Sequence, residues 1–286
     1  GDALEDMETR HFFIDSFDSG ADGGFTITAK DTLKFLDGDR VQAPIMNNGF
    51  LLAAITNVQT SATLSPAGIG ATEYPASGYI NIGGNEVCAF TRIGDALTLT
   101  RAQLGSTASA HNAEDRVQTV LRYAAFDPAD ILYDLLVTYG GIPSSYIDIT
   151  AWRAEIAAHL ATVYTLVVAE PTPVNKLVSE LIEVAALAMW DDNINKQIRM
   201  QVLRTIVTEA DRFNEDNVVI DTFSIEEQPD KRLSQVWVYF GQIDPTKRRD
   251  DPDNYRSAAI VIDSEMELNY GSSAIKKVFA RAVPAL

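Results

Sequence analysis

Asp127-Pro128-Ala129-Asp130-Ile131-Leu132-Tyr133-Asp134-Leu135-Leu136 is where the chain changes its period. An Asp followed directly by Pro is a helix-start signature: the carboxylate caps free N–H groups and Pro tolerates the first turn. Apolar residues at 131, 132, 135 and 136 then fall on one helical face, and Gly140-Gly141 closes the segment. The same period predicts a second helix over Thr150 to Leu160. A third runs from Thr172-Pro173 through Val174, Leu177, Val178, Leu181 and Val184. Stripes of this kind pack into a core by default, which points to Ile131, Leu135, Leu177, Leu181 and Trp190 as core residues.

On either side of these helices the texture is β. His11-Phe12-Phe13-Ile14-Asp15-Ser16-Phe17 and Phe25-Thr26-Ile27-Thr28-Ala29 flank a Gly-rich turn and read as a hairpin, followed by a short helix capped by Asp31 and stopped at Gly38. Between Val41 and Tyr123 short strands alternate with Pro and Gly: Gly78 to Ile82, Glu86 to Arg92, Ala96 to Arg101 and Arg116 to Arg122. Residues 187 to 203 read as a hairpin around Asp191-Asp192-Asn193-Ile194-Asn195-Lys196. Leu233 to Phe240 and Ala258 to Asp263 read as strands, and Ser272 to Ala280 as a helix. The fold class is α+β, in several small domains.

The 286 residues carry 23 Lys and Arg against 40 Asp and Glu, a formal charge of −17. Such a surface repels phosphate backbones and anionic lipid, which argues against sequence-specific nucleic-acid binding. No apolar run reaches the ~20 residues of a membrane span. The only cysteine, Cys88, lies in an apolar stretch and reads as a small buried hydrophobe. The chain begins at Gly1 without an initiator Met and ends on an apolar segment, so both ends read as cut from a longer polypeptide.

His11, His111 and His159 lack the one-turn spacing of a zinc helix. Asp191-x-Asn193-x-Asn195 opens like a calcium loop, yet Lys196 stands where Gly is required and Val202 where a bidentate Glu belongs. Ala67-Gly68-Ile69-Gly70-Ala71-Thr72-Glu73 starts like a dinucleotide fingerprint without its third Gly, and reads as a turn-rich loop. Glu226 and Glu227 are strand neighbours on opposite faces, and Glu265 and Glu267 share a face but lack the aromatic sugar platform of a glycosidase, so they read as a solvated edge. No Gly-x-Ser-x-Gly elbow occurs. The expectation is therefore a non-enzyme without metal or cofactor.

Several stretches resemble the hub proteins of long-tailed phage and prophage tail tips, also called baseplate hubs. They are Thr28-Ala29-Lys30-Asp31-Thr32-Leu33-Lys34, Thr63 to Gly70 with Tyr74 to Gly83, and Leu97-Thr98-Leu99-Thr100-Arg101-Ala102-Gln103-Leu104-Gly105-Ser106 continuing to His111. Further along come Pro128 to Leu132, Ala169 to Val174, Trp190-Asp191-Asp192, and Val236 to Gly241 with Asp250 to Tyr255. The resemblance reaches across nearly the whole chain, and these are recurring textures without catalytic signatures.

What the resemblance implies is a virion structural protein, made in the bacterial cytoplasm and assembled into the phage tail. Residues 1 to 40 and 205 to 286 would belong to the hub domain that continues the tail tube, 41 to 125 to a small antiparallel β-insertion, and 126 to 204 to an α/β insertion. The full protein would be a homotrimer around the tail axis, holding the tube shut until DNA ejection. Its partners would be other tail proteins: the distal tail protein, the tape measure and fibres. The alternative is a host-receptor or carbohydrate-binding module whose partner surface uses Tyr133, Tyr139, Tyr146 and Trp152, with Trp190 beside them. A cell-wall hydrolase is the third reading.

Overall fold

In the computed structural model, residues 9–20, 23–38, 41–204, 226 and 232–284 are described. They form a mixed α+β protein in which strands outweigh helices.

The N-terminal hairpin joins β1 (Phe13–Ser19) to β2 (Phe25–Lys30), with a register shift between Ile14 and Ser16. Asp31 then caps a 3-10 turn over Thr32–Asp37 by accepting a hydrogen bond from Lys34 N at 3.0 Å. Two short strands, β3 (Gln42–Ala43) and β4 (Phe50–Leu51), lead into the β-unit.

That unit contains β5 (Ser61–Ser65), α1 (Ile69–Glu73), β6 (Ser77–Ile82), β7 (Glu86–Ile93), β8 (Ala96–Thr100) and β9 (Val117–Thr119). Its six-stranded antiparallel sheet has the order β4-β5-β8-β7-β6-β9. Alternation along the strands turns Leu64, Ile80, Ile82, Cys88, Phe90 and Leu99 into one core. The segment Ala67 to Glu73, expected as a loop, contains the helical turn α1. Its free N–H groups find a partner remote in sequence: the Asp95 carboxylate accepts from Gly68 N at 2.6 Å and from Gly70 N at 2.8 Å.

The strand expected over Arg116 to Arg122 is two strands. β9 pairs with β6, and β10 (Leu121–Phe126) leaves that sheet to pair with β11 (Tyr164–Val168). Asp127 accepts from Ala129 N at 2.8 Å and so starts α2 (Pro128–Asp134), which widens into a π turn over Leu135–Tyr139. Next come α3 (Ile149–His159), β12 (Thr172–Pro173) paired with β3, and α4 (Val174–Ala185). The hairpin β13 (Leu187–Asp192) and β14 (Gln197–Val202) follows in full register.

Their core takes Ile131, Leu135, Trp152, Ile156, Leu177 and Leu181, joined by Leu36 from before the β-unit and Ala282 from the far end. Trp190, expected in this core, is 44% exposed on β13.

The C-terminal sheet has the order β16-β15-β17, from β15 (Gln235–Gln242), β16 (Tyr255–Ile262) and β17 (Ile275–Ala280). Residues 272 to 280, expected as a helix, therefore hold a strand, lying parallel to β15 with Gln235 opposite Ile275. The helix of this region is α5 (Ser264–Tyr270), begun by Asp263 accepting from Met266 N at 3.0 Å and ended by Gly271 at φ 68°. Glu265 and Glu267 lie in its first turn, not on a strand edge. Glu267 accepts from Ser234 Oγ at 3.0 Å and from Gln235 Nε2 at 2.7 Å. Of the pair Glu226-Glu227, Glu227 lies outside the described residues.

This sheet is fastened to the helical core. Glu180 of α4 receives Arg281 Nε at 2.9 Å on one oxygen and pairs with Arg249 through the other. Lys276 pairs with Glu183, and Thr165 N donates to Ala282 O at 2.9 Å.

Candidate functional site

The aromatic residues expected to form a partner surface do not converge on one. Trp152 is 3% exposed, packed inside the central core, and Tyr133, Tyr139 and Tyr146 are partly buried against the same core. The Tyr123 hydroxyl donates to Asp134 at 2.6 Å in this neighbourhood, and the Tyr146 ring lies tilted against Phe13 with centroids 5.8 Å apart. Their place beside amphipathic helices is equally that of core aromatics, and the sequence does not show which rings a second layer covers.

The densest polar constellation lies in the β-unit, and the sequence showed its members only singly. Glu86 opens β7 with no exposed surface. Its Oε1 accepts from Arg101 Nε at 2.8 Å and from Ala102 N at 3.0 Å. Its Oε2 accepts from Arg101 NH2 at 2.6 Å and Ser109 N at 2.9 Å, and lies 3.0 Å from His111 Nε2. The same guanidinium donates to the carbonyls of Thr56, Gln59 and Ser109 at 2.6–2.8 Å. Burial acts to raise the Glu86 pKa, but the bonds from Arg101, Ser109, His111 and Ala102 outweigh it and hold the carboxyl at about 2. The carboxylate, in turn, raises the Arg101 pKa.

Every oxygen of Glu86 is thus taken, and the cluster is closed to solvent. It pins the long segment 101–111 under the sheet, and it offers no free donor or acceptor to a substrate. Cys88 Sγ lies 3.4 Å from Glu86 Oε1, with the carboxylate between it and His111. Burial first, and then the Glu86 charge, push the thiol up to about 12, which disfavours the nucleophilic thiolate.

The carboxylates of the calcium-like turn are engaged within the protein. Asp192 accepts from Asn195 N at 3.1 Å and Nδ2 at 2.8 Å, and Asp191 accepts from Thr32 N at 2.8 Å. Among the described residues no group of three His, Cys, Asp or Glu could hold a metal ion, and no helix is long and apolar enough to cross a membrane.

The unusual surfaces are β. Both faces of the N-terminal hairpin are open, with Phe17 at 72% and Ile14, Phe25 and Ile27 more than half exposed. The outer strand β16 likewise leaves Ile260, Val261 and Ile262 open on consecutive positions, hence on both faces, and α5 buries none of its residues. Compared with known proteins, the sequence matches no family model and no curated protein.

Proposed function

We propose that this chain is a structural component of a phage tail tip, the part of the hub that closes the tail tube and links it to distal tail parts. The observation that carries the reading is the pair of uncovered β surfaces, the hairpin β1–β2 and the strand β16 with α5. Large apolar side chains exposed on both faces of a strand mark an interaction surface, and free strand edges accept further strands. Both surfaces fall in the segments that the resemblance to hub proteins assigns to the tube-continuing domain, whereas residues between them bury cores of their own. Copies arranged around the tail axis, together with neighbouring tail proteins, supply the missing cover.

The test is location. An epitope tag on the exposed turn at Ile194–Asn195, followed by immunogold labelling of virions, is expected to mark one tail end. Label absent from virions, or present on heads, overturns the proposal. Soluble muropeptides released from purified peptidoglycan by the protein would move the reading to a hydrolase.

A further inference from the structure

In a chain of formal charge −17, one cleft is rich in donors that have no acceptor. It lies where β11 and the loop at Leu104 meet the C-terminal sheet, and has a volume of about 220 Å³. Arg256 of β16 lines it and forms no side-chain hydrogen bond or ion pair among the described residues; nor does the side-chain amide of Gln242 on β15. Across the ladder Gln242 pairs with Tyr255, the residue before Arg256.

A third wall is Arg281. Its Nε and NH2 are taken by Glu180, but Arg249 claims the same carboxylate, so two guanidiniums share one negative charge. Thr165 adds a hydroxyl that already accepts from Ala125 N at 3.1 Å and keeps its own hydrogen to donate. The acid next to Pro245 at the rim, Asp244, is spent on Thr246 N at 2.9 Å and Thr246 Oγ1 at 2.7 Å. Leu104, Val167 and Val283 complete the walls with apolar surface.

We propose that this cleft binds the carboxylate of an acidic side chain flanked by apolar residues on a partner polypeptide. A guanidinium fork matches a planar carboxylate in two-point fashion, and Gln242 lines the same cleft. The apolar walls suit the methylenes and neighbours of a peptide and give nothing to a free anion. The inference does not rest on the tail-tip reading and can fail or stand without it.

The experiment is an amide NMR titration of the whole chain with the blocked peptide acetyl-Ala-Val-Glu-Val-Ala-amide, its Gln analogue, and inorganic phosphate. Saturable shifts at Gln242, Thr165 and Val167 are expected with the Glu peptide, at about millimolar affinity, and at least about tenfold weaker binding by the Gln peptide. Arg256→Ala, a change at an exposed position, is expected to weaken the Glu peptide by about tenfold while leaving distant resonances in place. Gln242→Leu serves as the second variant. The proposal is overturned by equal binding of the Glu and Gln peptides, by unchanged affinity in both variants, by the absence of shifts, or by phosphate binding as tightly as the peptide.

Discussion

Arg101 meets Glu86 edge to edge, Nε 2.8 Å from Oε1 and NH2 2.6 Å from Oε2, with both side chains withdrawn from water. A charge buried in this way is held by its partners alone. Removing one partner leaves the other uncompensated, at a cost of about 3–5 kcal/mol. Arg101→Leu and Glu86→Ala are each expected to lose stability of that order in urea unfolding. The double variant Glu86→Ala, Arg101→Leu is expected to lose less than the two single losses added. Strict additivity of the single losses would show that the two groups do not interact in solution.

Acid stability follows from the same carboxylate. Its folded pKa of about 2 lies below the ordinary glutamate value of 4.5, so folding strengthens the charged form. The contribution is fully present above pH 4.5 and disappears as the pH falls through about 2, and its size is on the order of 3 kcal/mol. Unfolding free energy measured from pH 5 down to pH 2 is expected to fall more steeply in the parent than in Glu86→Gln. Parallel curves would mean that Glu86 titrates normally.

Cys88 gives a probe of the opposite kind. With its thiol buried at 0% exposure and pushed up to about 12, it is expected to resist a thiol reagent such as 5,5′-dithiobis-nitrobenzoate in the native protein and to react fully in denaturant. Stoichiometric labelling of the native chain within minutes at pH 8 would place the thiol at the surface.

Local chemistry was the legible part of the fold. Asp127, Asp31 and Gly140-Gly141 state their own roles, and α2, α3 and α4 stand where their stripes end. Pairing partners were not legible. Ile275, Val278 and Phe279 have a helical spacing of three and four, and only the ladder to β15 decides that they form a strand. The signal for the neighbouring helix was present, with Asp263 ahead of Glu265 and Glu267 and Gly271 behind. Val120 separates two strands that alternate as one, because period two says nothing about which sheet a strand joins. The Glu86 cluster draws its members from positions up to 45 apart, as in Arg101 to Thr56, and no local pattern joins them.

Gly105 tests how the β-unit sits against the C-terminal sheet. Its φ is +88°, and a Cβ there would stand 1.9 Å from the carbonyl oxygen of Ile243. Neither side can give way cheaply. The Ser106 hydroxyl is locked to Val87 N at 2.9 Å and to Gln103 O at 2.8 Å, while Ile243 N donates to Asn254 O at 2.8 Å and Asp244 N to Asn254 Oδ1 at 3.0 Å. Gly94 supplies the control: its φ is +59°, and a Cβ there meets nothing within 4 Å. Gly94→Ala is expected to cost only the conformational penalty, about 1–2 kcal/mol. Gly105→Ala adds the overlap with Ile243 and is expected to cost about 3 kcal/mol or more. Denaturant melts of both variants decide the matter. Equal losses would mean that the loop at Gly105 does not touch Ile243 in solution, and the cleft lined by Leu104, Gln242 and Arg256 would lose one of its walls.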